Sequence, residues 1–193
     1  MGDLVRTPLS EVTSTLEALE LHGVSQEHLK RIRNDKAYAE QVASFIVRGG
    51  KGDVYPITVD YGLSLEQMIA TGRYDWVNSD ITSEHYPIVG TGTVALEGQL
   101  VHYGRNMSSE AVLADLDQKG LRPATMAELL AFGAKYPELQ RQFPIVELGS
   151  VWPYPLGDRS VGYLARVGRG RRLRLVWFAD DWGASYRFLA FRK

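Results

Sequence analysis

The stretch RRLRLVWFADDWGASYRFLAFRK, residues 171–193, decides the fold. Two alternating, largely apolar runs at its ends have the pattern of β-strands, and an acidic and aromatic turn separates them. The last strand must find a partner inside the domain, because an unpaired apolar strand edge promotes aggregation. Residues 93–104, TVALEGQLVHYG, also alternate apolar and polar side chains and are the partner that we expect.

Two helices are predicted between these strands. Residues 108–120 form an amphipathic helix that begins at Ser108 or Ser109 and stops at Gly120, and Thr125 with Glu128 makes the capping box of a second helix. Four strands then follow, at 143–152, 161–168, 171–178 and 186–193. The order strand, helix, helix and four strands predicts an α+β domain.

Upstream segments extend this domain and add a helical appendage. Residues 54–62 are strand-like, and residues 64–72 form a short helix capped by Ser64. Residues 1–50 predict a helical N-terminal segment with a stop at Gly23, a restart after Ser25, a break near Asn34-Asp35 and an end at Gly49-Gly50. The first of these helices has an apolar face formed by Val12, Leu16, Leu19 and His22. We therefore divide the chain into a helical segment, 1–50, and an α+β domain, 54–193, joined by the linker RGGKGD.

Charge is unevenly distributed along the chain. The net charge is −1, yet residues 151–193 carry nine Lys/Arg and three Asp/Glu, whereas the preceding 150 residues carry 13 and 20. A nearly neutral whole gives no general attraction to nucleic acid or membranes. The positive charge is concentrated instead on the last strands, in Arg159, Arg166, Arg169, Arg171, Arg172 and Arg174.

Several classes of site are excluded or disfavoured by composition. The chain has no cysteine, which excludes disulfides, thiolate metal sites and cysteine nucleophiles. The N-terminus lacks a basic start followed by an apolar run, and no apolar run approaches the ~20 residues that span a bilayer. We expect a cytoplasmic protein with no membrane contact, no cofactor, no metal and no catalytic residues.

The order of elements from Thr93 resembles the C-type lectin fold. LRPATMAELLAFGAKY, residues 121–136, resembles the second helix of the formylglycine-generating-enzyme branch, in which an arginine and a proline precede a capped helix. PIVELGSVW, residues 144–152, lies where that branch has its central strand, and YRFLAFRK resembles its closing strand. The resemblance implies a C-type-lectin-like core over residues 93–193. Residues 59–82 and 129–152 are also similar to a group of uncharacterised bacterial proteins.

The chain departs from the known chemistries of that fold. The Glu-Pro-Asn and Trp-Asn-Asp triplets of calcium-dependent lectins do not occur in the terminal strands. Calcium takes six to eight oxygen ligands, and the terminal region offers only the carboxylates of Asp158, Asp180 and Asp181. The formylglycine-generating enzymes depend on cysteine, which this chain lacks. The resemblance therefore implies neither a lectin nor an oxidase activity.

A third use of the fold fits the composition. In diversity-generating retroelements, error-prone reverse transcription changes the codons for the last strands of C-type-lectin-like variable proteins. The exposed side chains of those strands then form a binding face rich in Tyr, Trp, Arg, Asp, Ser and Gly. Residues 154–186 have this composition, which suits a non-enzymatic binding protein for a macromolecule, foremost another protein. The predicted face comprises nine residues: Tyr163, Arg166, Arg169, Arg171, Arg174, Asp180, Trp182, Ser185 and Tyr186. We expect Arg171, Arg174, Asp180 and Trp182 to tolerate change without loss of folding.

Three alternatives remain open at this point. The arginines also suit a nucleic-acid surface, on which Tyr163 and Trp182 would stack on bases. They equally suit the solvent side of a hairpin. In that case the core would contain Leu173, Leu175 and Trp177, together with Trp152, Phe188 and Phe191. Asp75, Asp80, Glu84 and His85 could form a catalytic or metal site, but their spacing fits a structured loop better. A structural adaptor that docks through the N-terminal helices is the third alternative.

Overall fold

The computed structural model describes residues 8–21, 23–47, 54–154 and 157–193. The chain divides into two compact units, Met1–Gly52 and Asp53–Lys193. His22 of the first helix, the stop at Gly49-Gly50 and the linker after it lie outside the described residues. None of the helices in the described ranges is both long enough and apolar enough to cross a bilayer.

In the N-terminal unit the described residues form three helices: α1 (Leu9–Leu21), α2 (Gln26–Asn34) and α3 (Lys36–Val47). Ser25 precedes α2, and its backbone N–H donates to Nδ1 of His28 at 3.0 Å. Asp35 separates α2 from α3 because its carboxylate accepts the backbone N–H of Tyr38 at 3.0 Å, which starts a new helix. The predicted break at Asn34-Asp35 is confirmed.

The C-terminal unit is α+β, as predicted, and its described residues form a nine-stranded mixed sheet. The strands are β1 (Val54–Asp60), β2 (Trp76–Val77), β3 (Thr93–Val101), β4 (Leu121–Pro123), β5 (Ile145–Val146), β6 (Trp152–Pro153), β7 (Arg159–Val167), β8 (Gly170–Trp177) and β9 (Arg187–Arg192). Their order across the sheet is β1-β3-β9-β5-β7-β8-β2, with β4 added to β9 and β6 added to β7. The helices are α4 (Leu65–Gly72), α5 (Ser109–Gln118) and α6 (Met126–Lys135).

The predicted closure of the domain is confirmed. The last strand, β9, pairs antiparallel with β3, so that Phe191 lies opposite Gly98 and Phe188 lies opposite Val101. The predicted strand 143–152 is wrong in part, since it consists of the two short strands β5 and β6. The chain turns between them because the buried Glu147 carboxylate accepts the backbone N–H groups of Ser150, at 2.7 Å, and Gly162, at 3.0 Å.

Helices cover both faces of the sheet. On one face, α4 and α6 pack on a core that includes Leu129, Phe132, Leu164, Leu173 and Leu189. On the other face, α5 packs on a second core that includes Val112, Leu116, Val146, Trp182 and Phe188. Both cores follow from the alternation of side chains along β7, β8 and β9.

The predicted caps at Ser64 and Ser108 are confirmed, and the carboxylate half of the predicted capping box at Thr125 has an ionic partner. Ser64 and Ser108 accept backbone N–H groups at the starts of α4 and α5. The Glu128 carboxylate accepts the backbone N–H of Thr125 at 2.8 Å, which is the carboxylate half of the predicted capping box. It also binds both terminal nitrogens of Arg122, at 2.7 and 3.0 Å. The arginine before α6 therefore fixes the start of that helix.

Candidate binding groove at the edge of the sheet

An open groove of about 320 Å³ follows the outer edge of β8. All four consecutive residues of Arg174–Trp177 line it. Because successive side chains of a strand point to opposite faces, consecutive residues share a depression only where it runs along the strand edge. The groove begins where β2 stops, since β2 pairs only with Arg172 and Leu173 of β8. Its other walls include Asn78, Tyr154, Tyr163 and Asp180.

A row of four aromatic rings leads to this groove. His85 stacks on Trp152 with 3.7 Å between ring centroids, and Trp152 lies 3.9 Å from Tyr154. Tyr154 then meets Trp177 edge-on at 4.9 Å. Burial and the Asp80 carboxylate raise the pKa of Tyr154, whose hydroxyl donates to that carboxylate at 3.1 Å. The row therefore holds Tyr154 in place as one wall of the groove.

Trp177 is exposed, and its predicted place in the core is wrong. Leu173 is fully buried, Leu175 is half-buried and Trp177 is 43% exposed, although all three point to the same face of β8. Burial therefore decreases along the strand as it runs past the core, and Tyr154 is the ring that contacts Trp177. An exposed indole beside polar groups is the type of side chain that dominates many interfaces.

Charged groups of both signs line the groove together with the exposed ring. The guanidinium of Arg174 lies 5.6 Å from the ring centroid of Tyr163, which is the residue opposite it on β7. Burial raises the pKa of Tyr163, and Arg174 opposes that shift. Asp180 is exposed just beyond the end of β8. The groove thus offers an aromatic surface, a cation and an anion within one short segment.

Arg171 does not belong to the binding face, contrary to prediction. It is only 6% exposed, and its guanidinium donates to the carbonyls of Gly72 and Gly133, both at 2.8 Å, and to Gln140 at 3.1 Å. Those carbonyls belong to the last turns of α4 and α6, where the helix dipole attracts a cation. Burial lowers the pKa of Arg171. The side chain joins two helices to the sheet, so we no longer expect it to tolerate substitution.

Trp182 is also buried rather than displayed. It is 1% exposed, and its indole N–H donates to the Ser109 hydroxyl at 2.9 Å. Its backbone exchanges two hydrogen bonds with Met107, which ties the turn to the start of α5. The turn composition predicted that the backbone would leave the core, but the side chain folds back because Ser109 satisfies its N–H. The expected tolerance of Trp182 to substitution is therefore wrong.

The other predicted site residues are divided between two regions. Arg166 and Arg169 are exposed at the turn between β7 and β8, which lies about 25 Å along the strand from Trp177. Ser185 is exposed, and Tyr186 is half-buried between the rings of Tyr163 and Trp182. Tyr163, Arg174 and Asp180 are the predicted residues that reach the groove.

The segment from Asp75 to His85 supports the groove. Asp75 accepts the backbone N–H of Arg171 at 2.6 Å and so anchors β8. Nδ1–H of His85 donates to the backbone carbonyl of Asp80 at 2.8 Å. Within the described ranges, no three His, Asp or Glu side chains are grouped so that they could hold a metal ion.

Sequence reasoning missed Asn78 and Trp177 as groove residues. Trp177 ends the run Leu173, Leu175, Trp177, and a strict alternation places it in the core. Its position three residues before Asp180 of the acidic turn was the available signal, because side chains at a strand end leave the covered part of a sheet.

Comparison of the chain with families of proteins, with curated proteins and with solved structures finds no match.

Proposed function

We propose that this chain is a non-enzymatic protein that binds a macromolecular ligand through the groove along β8. The observation that carries the proposal is the exposure of Trp177 beside Tyr154, Arg174 and Asp180. Interface hot spots are enriched in Trp, Tyr and Arg, because large rigid rings and forked donors give much contact for little lost entropy. The binding face is thus shorter than residues 154–186 and lies at one end of the β7–β8 hairpin.

We also propose that residues 93–193 form a C-type-lectin-like core within the α+β unit. Two features support this assignment: the closing pair β3–β9, and the order of β3, α5, α6 and the terminal strands. In such a domain the last strands and loops can carry a binding face without disturbing the two helices. The groove uses the end of β8 and the turn after it, which fits that arrangement.

The nucleic-acid alternative loses part of its support. Tyr163 and Trp182, the rings proposed to stack on bases, are 8% and 1% exposed. Arg171 is buried, and Arg159 lies 3.7 Å from the carboxylate of Glu110. A nucleic acid would therefore meet a shorter basic surface than the sequence suggests.

A three-part binding screen tests the proposal. The purified chain is assayed against phage-displayed random 12-residue peptides, an immobilised glycan array, and single-stranded DNA at about 50 and 200 mM salt. We expect a peptide or glycan ligand whose affinity falls at least about tenfold in Trp177→Ala, the loss typical of an interface hot spot. Trp76→Ala is the matched control, because Trp76 is 42% exposed and does not line the groove.

Each other result has a defined meaning. Binding that Trp76→Ala and Trp177→Ala weaken equally would contradict the proposed site. Binding to DNA alone, with affinity that collapses between the two salt concentrations, would replace the proposal with the nucleic-acid alternative. No binding in any arm would remove the proposal.

A further inference from the structure

We infer that the ligand of the groove is an extended peptide segment of another protein, which pairs with the outer edge of β8 as an additional strand. The inference rests on the proposed function and names the ligand class. Four features support it: the backbone of β8, the end of β2, the shape of the groove and the charges of its side chains.

The backbone of β8 presents hydrogen-bonding groups to the groove that no other described residue pairs with. The N–H of Phe178 donates across the hairpin to the carbonyl of Arg159 at 2.7 Å, and antiparallel pairing then directs the N–H groups of Val176 and Arg174 toward β7 as well. The alternate residues, Leu175 and Trp177, therefore point their N–H groups outward. Nearer the start of β8 the outward carbonyls have partners, since those of Arg171 and Leu173 accept the N–H groups of Asp75 and Asn78 at 2.9 and 3.0 Å.

The protein's own edge strand stops before it covers this segment. At Asn78 the chain turns away from β8, because the Asn78 side chain accepts the N–H of Asp80 at 2.9 Å and its carbonyl accepts that of Ile81 at 3.1 Å. No strand among the described residues pairs with the outer side of Arg174–Trp177. Leu175 N–H, Leu175 C=O and Trp177 N–H are thus directed at the groove, while Trp177 C=O accepts the N–H of Asp180 at 3.1 Å. Strand addition to such an edge is a common mode of peptide recognition.

The shape of the groove favours a single peptide over a second copy of the chain. Side chains from outside β8, those of Asn78, Tyr154 and Asp180, line the groove with this edge. Edge-to-edge pairing of two copies would bring both sets of these side chains into the space between the two strands. A single extended segment is narrow enough to enter. The side chains then select its sequence: an acidic residue would pair with Arg174, and an apolar residue would pack on Trp177 and Tyr154.

A backbone methylation scan tests the inference directly. A 12-residue peptide selected from the phage library is resynthesised with one N-methyl group at each successive position. Methylation of an N–H that faces β8 removes a donor and blocks close approach, whereas methylation of an N–H that faces away does neither. We expect binding to be lost at alternate positions and kept at the positions between them. We also expect Arg174→Gln to weaken an acidic peptide about tenfold and Arg169→Gln to leave it unchanged.

Amide exchange of the full chain provides the second readout. Peptide binding should slow exchange of the Leu175 and Trp177 amides, which face the groove. It should change the Arg174 and Val176 amides much less, because these already face β7. Loss of binding at alternate methylated positions of the peptide, together with this exchange pattern, supports strand pairing.

The remaining outcomes separate the inference from the proposed function. A peptide that depends on Trp177 but shows no alternation on methylation overturns strand pairing and leaves the groove as a binding site. The same holds if only glycans bind. If the chain alone is a dimer in sedimentation and its Leu175 and Trp177 amides are protected without peptide, a second copy occupies the edge and the inference fails. If Trp177→Ala weakens no ligand from any arm, both proposals fail.

Discussion

At the scale of single residues, Arg171 shows how a charge can belong to the core. Its guanidinium binds the ends of α4 and α6 and carries no carboxylate partner on its side chain among the described contacts. Gly133 is part of the same arrangement, since a Cβ there would lie 2.3 Å from the hydroxyl of Tyr74. The ring of Tyr74 in turn lies under the guanidinium, 5.0 Å away. The helix ends and the strand are therefore held by one cation.

Replacement of that cation should destabilise the protein strongly. Arg171→Ala leaves three buried acceptors without their donors, which costs roughly 3 kcal/mol or more. For a domain of this size the melting temperature should fall by about 6–12 °C. Thermal unfolding followed by circular dichroism measures the change. Arg169→Ala is the control, because Arg169 is exposed in the turn between β7 and β8. Equal melting temperatures for the two variants would refute the role assigned to Arg171.

Glu147 should make stability depend on pH. It is completely buried, and burial raises its pKa to about 8, although the backbone N–H groups of Gly162, Ser150 and Gly149 oppose the shift. In the unfolded state this carboxyl loses its proton above its ordinary pKa of 4.5, whereas in the folded state it keeps the proton up to a pH of about 8. The contribution of the protonated Glu147 carboxyl to the free energy of unfolding is thus fully present at low pH and is lost as the pH rises toward about 8.

The matched variant for this effect is Glu147→Gln, which cannot titrate. We expect the melting temperature of the parent to fall between pH 5 and pH 8 and that of the variant to change less over the same range. Differential scanning calorimetry at several pH values measures both slopes. The absolute stability of the variant can differ, since an amide satisfies two N–H donors less well, so the slope is the readout. Parallel slopes would mean that Glu147 is ionised throughout.

At the scale of elements, β9 holds the domain together. It lies between β3 and β5 and also pairs with β4, and four of its side chains, Phe188, Leu189, Ala190 and Phe191, are at most 2% exposed. A chain that ends at Tyr186 loses three large buried side chains, each contributing about 2–3 kcal/mol, against a total stability of about 5–15 kcal/mol.

We therefore expect the chain truncated after Tyr186 to have no cooperative thermal transition. A chain that ends at Phe191 is the control, because Arg192 and Lys193 are exposed, and it should unfold cooperatively. Near-ultraviolet circular dichroism during heating distinguishes the two chains. A sharp transition in the shorter chain would show that β3 needs no partner from the C-terminus.

At the scale of the whole molecule, the order of the long strands and helices was predictable, whereas the short strands β2 and β4 and the exposure of side chains were not. Alternation in 93–104 and 186–193 predicted the pair β3–β9, and serines predicted the caps of α4 and α5, because these signals are local. The burial of Arg171 and Trp182 depends on Gly133, Gln140 and Ser109, which are 31 to 73 residues away in sequence. No local pattern carries that information. The groove was missed for the same reason, since it exists only where β2 stops beside β8.

The order of strands also has a consequence for how the protein can be attached to something else. The chain enters the sheet at Val54 on β1, and the groove follows β8, five strand positions and about 24 Å away across the sheet. Within the C-terminal unit, the point at which the chain enters the sheet is therefore well separated from the groove. An attachment at the β1 end of the sheet would therefore not interrupt the strand β8 that borders the groove.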